Sequence, residues 1–238
     1  MPATNASQNS NHKYLFIAAA LVVIIAIGAY AIIGNNDKNG TEQAKVSKEE
    51  AAKAREKGLD FYKKGDWDSA LDEFERAVAG NPGDLYALMQ LAYTYERKGQ
   101  LDEAFQQYEA LLNLDAKSAD AHYNMGRILV QKKELDKAIV ELETAAKMNA
   151  DFTAVRADLA EAYVRKKEFE KALATYAELE KIITVSSSDN IYLSHIFYAK
   201  GDIYKRMGQR ANAKAMFTKA LELNENNKDA STALIGLK

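Results

Sequence analysis

The chain has 238 residues, 28% charged and 47% hydrophobic, with 32 Lys+Arg against 34 Asp+Glu. That length allows one domain, or a small domain with an appendage, and the net charge of -2 gives no electrostatic reason to expect nucleic-acid binding. With no cysteine there can be no disulfide, Cys-ligated zinc, iron–sulfur cluster, thiol catalysis or Cys-linked lipid. Only 2 prolines and 12 glycines exclude a collagen-like or Pro/Gly-rich disordered chain, and abundant Ala, Lys, Glu and Leu favour helix.

Residues 1–13 form a polar tail with one charged side chain, Lys13. From Leu15 to Ile33 no charged, Asn, Gln, Ser or Thr residue appears. At about 1.5 Å per residue this run reaches about 28 Å, close to the hydrocarbon thickness of a bilayer. Tyr14 and Tyr30 stand towards its ends. A transmembrane helix is therefore expected over residues 14–34. The alternative is a cleaved signal peptide, for which Ala29-Tyr30-Ala31 offers a small-x-small site. The run exceeds a signal peptide's roughly 7–15 apolar residues and continues past that site, so its length favours an uncleaved single-pass anchor. Lys13 favours a cytoplasmic amino terminus, whereas Lys38, Lys45 and Lys48 argue the reverse. Because long domains are translocated regardless of such charges, the large domain is expected outside the cytoplasm. Residues 35–46 read as a polar linker, and residues 47–238 as the folded part.

In that part the chain repeats itself. Ala70, Ala104, Ala138 and Ala172 lie 34 residues apart. A small residue stands twelve before each (Gly58, Ala92, Gly126, Ala160), and a large one nine before (Phe61, Tyr95, Leu129, Tyr163). Three before comes Trp67, Leu101, Leu135 or Phe169; four after comes Phe74, Tyr108, Leu142 or Tyr176. A fifth copy, displaced by seven extra residues, holds Gly201, Tyr204, Ala213, Phe217 and Ala220, with Arg210 in the Trp67 column. Each unit contains two stretches of helical apolar spacing around a short turn. Small residues let two helices approach closely, and large ones fill the space beside them. Gly65, Gly99 and Gly208 suit left-handed helix ends. Ser47-Lys48-Glu49-Glu50 reads as a capping box that starts the first helix.

These residues resemble the tetratricopeptide repeat family. The pattern reads Gly58, Phe61, Gly65, Trp67, Ala70, Phe74, Ala77 and Pro82 in the first unit, and it covers residues 51–227. Departures are few. The terminal proline occurs once, with Ala116, Ala150, Thr184 and Glu225 elsewhere, and Lys57 and Lys200 stand where the family has an apolar residue. The resemblance implies an all-α solenoid of about five helix-turn-helix units: 51–84, 85–118, 119–152, 153–186 and 194–227. The apolar spacing of Ala230, Ala233, Leu234 and Leu237 makes residues 228–238 a helix that caps the stack. The extra residues, 187–193, extend two helices or form a loop through Ser186–Asn190.

Catalytic signals are sparse. No HExxH, GxGxxG or GxxxxGK[ST] sequence is present, and no base is placed to activate Ser186–Ser188. No enzyme activity, cofactor, metal or small-molecule substrate is expected. His122 falls at a packing position, so a hydrogen-bonded structural histidine is expected there.

Binding remains. The resemblance implies that the first helix of each unit lines a concave groove. Its matching positions put these partner-binding candidates on one surface: Arg55, Tyr62, Tyr86, Met89, Tyr93, Arg97, Tyr123, Arg127, Glu161, Arg165, Tyr198, Asp202 and Lys205. Tyrosine and arginine are favoured at interfaces because they combine large contact area with a polar handle. Some family members grip a partner's terminal carboxylate at positions that here hold Arg55, Leu59, Gln90, Asp120 and Asn124. Asp120 repels a carboxylate and Leu59 cannot donate, so no such clamp is expected. The reading is a membrane-anchored protein–protein interaction module, a scaffold or chaperone-like assembly factor that binds a peptide or protein segment. The alternatives are a regulatory subunit of a membrane-associated enzyme complex, or a secreted form released by signal-peptide cleavage.

Overall fold

The computed structural model describes residues 46–186 and 189–237, without the side chains of Val185 and Ser186. Wherever apolar residues recur every three to four positions the chain is helical. Eleven helices and no strand occur among the described residues: α1 (Lys48–Lys64), α2 (Trp67–Gly80), α3 (Leu85–Arg97), α4 (Leu101–Leu114), α5 (Ala119–Gln131), α6 (Leu135–Met148), α7 (Thr153–Arg165), α8 (Phe169–Ser186), α9 (Asn190–Arg206), α10 (Arg210–Leu223) and α11 (Lys228–Ile235). Consecutive helices pair as five hairpins, α1/α2 to α9/α10, and each packs on the next to give an all-α solenoid. The odd helices α1 and α3, and α5 and α7, also touch one another, so they share one face of the stack, the face that the resemblance makes its inner wall.

Local chemistry sets the helix ends. Glu50 N donates to Ser47 Oγ at 3.2 Å and Ser47 N donates to Glu50 Oε2 at 2.9 Å, which closes the capping box. Asp66, Asp84, Ser118, Asp189 and Asn227 cap α2, α3, α5, α9 and α11 in the same side-chain-to-backbone manner. Every turn within a hairpin passes through a left-handed residue. Gly65, Gly99 and Gly208 serve in three hairpins, at φ 77°, 75° and 74°. Lys133 and Lys167 hold the same geometry at φ 63° and 64°, where a Cβ crowds the following carbonyl. The double variant Lys133→Gly/Lys167→Gly is expected to gain about 1 kcal/mol, the relieved strain exceeding glycine's larger unfolded-state entropy. A higher urea midpoint with an unchanged denaturant slope checks it, and a lower midpoint contradicts it.

The hairpins close on the small and large columns. Ala70, Ala104, Ala138, Ala172 and Ala213 are all 0% exposed. A Cβ added to Gly58 would stand 2.8 Å from the Phe74 ring, and one on Gly126 would stand 2.7 Å from Leu142. At those positions glycine is required by the approach of the paired helix. The extra residues lengthen both neighbouring helices. α8 has 18 residues where α2, α4, α6 and α10 have 14, and α9 has 17 where α3, α5 and α7 have 13. Each gains about one turn, which preserves the face it buries.

Polar rungs tie one hairpin to the next. Lys98 pairs with Asp68, Lys132 with Asp102 at 2.5 Å, and Lys166 with Asp136 at 2.6 Å, at the 34-residue period. Tyr95 donates to Glu75 at 2.6 Å, and Tyr163 donates to Glu143 two repeats on, while Leu129 between them has no hydroxyl to donate. The aspartates of the lysine rungs are largely exposed and screened by solvent, so each pair contributes little to stability. Their role is to favour one stacking register. The next lysine column holds Met207 and its aspartate column Glu170, and there the series ends.

The expected single-pass membrane protein, with its solenoid outside the cytoplasm, does not stand. No helix among the described residues is long and apolar enough to cross a membrane. The physical reason is amphipathicity: even α8, the longest, carries Glu170, Lys171, Glu178, Glu180 and Lys181. The span expected at residues 14–34, the tail before it and the linker to residue 45 lie outside the described residues.

Candidate functional site

The odd helices carry the candidate residues, because helical spacing leaves one side of each free once the other packs on its even-numbered partner. At the amino-terminal end, Arg55 Nη1 donates to Asp84 Oδ2 at 2.6 Å while Asp84 Oδ1 accepts from Ala87 N at 3.0 Å. One carboxylate thus caps α3 and holds a cation from α1. The Arg55 guanidinium lies 5.8 Å from the ring centre of Tyr86, which is exposed. Tyr62 meets Trp67 edge-on at 5.0 Å, and Arg97 lies over Trp67 at 4.7 Å. Met89 packs against the core of the second hairpin.

In the centre, α3, α5 and α7 build one connected polar and aromatic surface. Tyr93 is set edge-on to Tyr108 at 6.2 Å, and its hydroxyl accepts from Asn124 Nδ2 at 3.4 Å. Tyr108 is fully buried and donates to Glu96 Oε1 at 2.5 Å. Arg127 lies over Tyr123 at 5.6 Å and donates through Nη1 to Asn124 Oδ1 at 3.3 Å. Its guanidinium stands 3.8 Å from Glu96 and 3.9 Å from Asp158, attracted by both carboxylates but beyond hydrogen-bond distance of either. Tyr123 packs on Phe152 at 5.0 Å. Burial, then the charge of Asp158 and a hydrogen bond to it, push the Tyr123 hydroxyl up to about 12. Burial also raises Tyr93. Both phenols are therefore neutral at physiological pH. A shallow cavity of about 160 Å³ opens beside Arg127, lined by Val130, Gln131, Asp158, Glu161 and Arg165. Glu161 accepts from Arg165 Nε at 3.0 Å across one helical turn.

The fifth hairpin stands apart from this network. Tyr198 packs on the buried Phe217 at 5.8 Å, Asp202 pairs with Arg206 at 2.7 Å, and Lys205 is exposed. His122 bonds Glu141 at 2.7 Å through Nδ1, the satisfied structural histidine that its position implies. Among the described residues no group of three or more acidic or histidine side chains is placed to hold a metal ion.

Two contributors escaped sequence reasoning. Asp158 completes the row Glu96, Arg127, Asp158, whose members lie 31 residues apart, as do Tyr93 and Asn124. A step of one repeat less about one turn connects adjacent odd helices diagonally, and that offset was the available signal. Trp67, read only as a packing column, forms a half-buried platform for Tyr62 and Arg97.

Three tetratricopeptide repeat models match the sequence, over residues 55–121, over 96–152 and 129–183, and over 194–227. Among solved structures, a crystal structure of MamA is 25% identical and superposes with a TM-score of 0.67, covering 74% of this chain and 92% of its own. MamA from Desulfovibrio magneticus RS-1 (18% identity, TM-score 0.65, covering 75% of this chain and 97% of its own) shares the fold. So does YrrB, described as a TPR protein with an unusual peptide-binding site (19% identity, TM-score 0.64, 76% and 89%). No curated protein matches the sequence significantly.

Proposed function

This chain belongs to the tetratricopeptide repeat family, and from that we infer a protein-interaction module whose inner wall binds a segment of a partner protein and so acts as a scaffold or assembly factor. Arg127 carries the reading. It is a guanidinium laid on Tyr123, steered by two carboxylates, yet among the described residues it makes one hydrogen bond of the five it can donate. The remaining donors suit the backbone carbonyls or a carboxylate of an extended peptide, and the adjacent cavity suits one of its side chains. Neutral Tyr93 and Tyr123 add contact area on preformed helices, where little ordering cost is incurred on binding. The peptide-binding site named for YrrB is a precedent within the fold. No step of catalysis is needed for this role.

Peptides selected from a random displayed library against the full chain provide the test. Arg127→Ala and Tyr123→Ala are each expected to weaken the selected peptides by about tenfold, the effect of removing an interface anchor. Val140→Ser, on an exposed position of the even helix α6, serves as the control and leaves affinity unchanged. Equal affinities for all four proteins would remove the inner wall from the binding reaction.

A further inference from the structure

We propose that the turn end of the first two hairpins is a docking point for an acidic segment of a protein partner, with Arg97 as the carboxylate anchor and Trp67 as its platform. This deepens the interaction-module reading and rests on it.

Three observations carry the proposal. First, the aromatic cluster is built from separate elements. Tyr62 lies in the last turn of α1, Trp67 opens α2, and Arg97 ends α3, yet the Tyr62 ring meets the indole edge-on at 5.0 Å and the guanidinium lies over it at 4.7 Å. Trp, Tyr and Arg are the residue types that carry most binding energy at interfaces. Trp67 and Tyr62 are half-buried and Arg97 is exposed, so the platform is rigid while its cation is open to solvent.

Second, three cations here, Lys63, Lys64 and Arg97, make no ion pair among the described residues, and Lys64 lies instead over the Phe61 ring at 5.9 Å. The carboxylates nearby are already engaged. Asp66 accepts from Ser69 N at 3.2 Å to cap α2, Asp68 takes Lys98, and Glu96 takes the Tyr108 hydroxyl. Positive charge at the ends of α1 and α3 is favoured by the helix dipole, and of the three carboxylates only Asp66 feels Lys64, through its charge and without an ion pair.

Third, the geometry selects the chemistry. The Arg97 guanidinium, 4.7 Å from the indole ring centre, makes no hydrogen bond or ion pair among the described residues, so its N–H edge is free. That edge matches a carboxylate through two parallel hydrogen bonds, and the aromatic face beneath removes competing water. Lys63 and Lys64 would receive a second acidic side chain further along the segment. Three cations in the last turns of α1 and α3 fit a short Asp/Glu-bearing peptide. They are too few for the phosphate-tracking basic stripe of a nucleic-acid site, and the chain's net charge of -2 opposes one.

Trp67 is the only tryptophan, so its fluorescence reports on this point alone. The full chain is titrated with a short peptide of alternating Asp and Ser, with the matching Lys/Ser peptide, and with a single-stranded oligonucleotide. The acidic peptide should give a saturable change that weakens with salt, and Arg97→Gln should lower its affinity by about tenfold. Lys63→Gln/Lys64→Gln should lower it by about threefold and flatten the salt dependence. Arg97 is exposed, so its variants are expected to fold, and unchanged helicity by circular dichroism verifies that. The proposal fails if the acidic peptide gives no saturable signal, if the lysine peptide or the oligonucleotide binds as tightly, or if Arg97→Gln binds within twofold of the unaltered chain. If library-selected peptides still depend on Arg127 and Tyr123 while Trp67 stays silent, this docking point is lost and the interaction-module reading survives.

Discussion

Gly201→Val is expected to destabilise the chain by about 3 kcal/mol and to lower its Tm by roughly 6–12 °C. A Cβ at Gly201 would stand 2.5 Å from Cε1 and 2.6 Å from Cδ1 of Phe217, closer than carbon atoms approach. Phe217 is 0% exposed and is itself backed by Tyr198 at 5.8 Å, so its ring has no open direction in which to retreat. Relief requires α9 and α10 to separate, which loosens the packing of the whole hairpin. Gly201→Ala is expected to cost less, about 1–2 kcal/mol, because alanine's better helix propensity offsets about 1 kcal/mol of the crowding. Urea unfolding followed by far-ultraviolet circular dichroism measures both. The second and fourth hairpins place Ala92 and Ala160 in this column, opposite Tyr108 and Tyr176, so the outcome is open to refutation. Equal stability of Gly201→Ala and the unaltered chain would show that the fifth hairpin opens as readily as those do.

Asn227→Ala is expected to free α11 from the end of the stack, at a cost of about 2 kcal/mol. Asn227 is 4% exposed and does two things at once. Its Oδ1 accepts from Ala230 N at 3.0 Å and so caps α11. Its Nδ2 donates at 2.8 Å to Ser194 Oγ, which is fully buried and in turn donates to the Ala220 carbonyl at 2.7 Å. Alanine removes the cap and leaves the buried Ser194 oxygen without its donor, each a loss of about 1 kcal/mol. Asn227→Ser keeps a capping oxygen but cannot reach Ser194, so about half the loss is expected. Hydrogen exchange is the suitable readout, because repeat stacks open locally from their ends. Protection should fall across Lys228–Ile235 and change little in the third hairpin. Uniform loss of protection along the chain would instead mean that α11 holds the entire stack together.

Much of the fold is legible in the residues themselves. The small and large columns that mark the hairpins are the same residues that meet in the core: Gly58 against Phe74, Gly126 against Leu142, Gly201 against Phe217. Capping by Ser47 with Glu50 is equally plain, since donor and acceptor lie three residues apart. The extra residues before the fifth hairpin were ambiguous between loop and helix, because a run of Ile, Thr, Val and Ser has no decisive helical signal. Packing of Ile183, Leu193 and Ile196 into the core resolved them as two lengthened helices. Lys133 and Lys167 could not be recognised as left-handed from their identity, because the strain at each is imposed by the hairpin it closes. The apolar run at residues 14–34 led to a membrane expectation that the described helices, all amphipathic, do not bear out.

Sequence alone determined that this chain is a stack of helical hairpins, because helix periodicity, end caps and close helix approach depend on residues near one another in the chain. Tertiary structure decided which polar groups meet. The rows Glu96–Arg127–Asp158 and Tyr62–Trp67–Arg97 join different hairpins. Their contacts depend on how far each hairpin is shifted and rotated against its neighbour. That offset follows from side-chain packing across the interface, and no local pattern of residues encodes it.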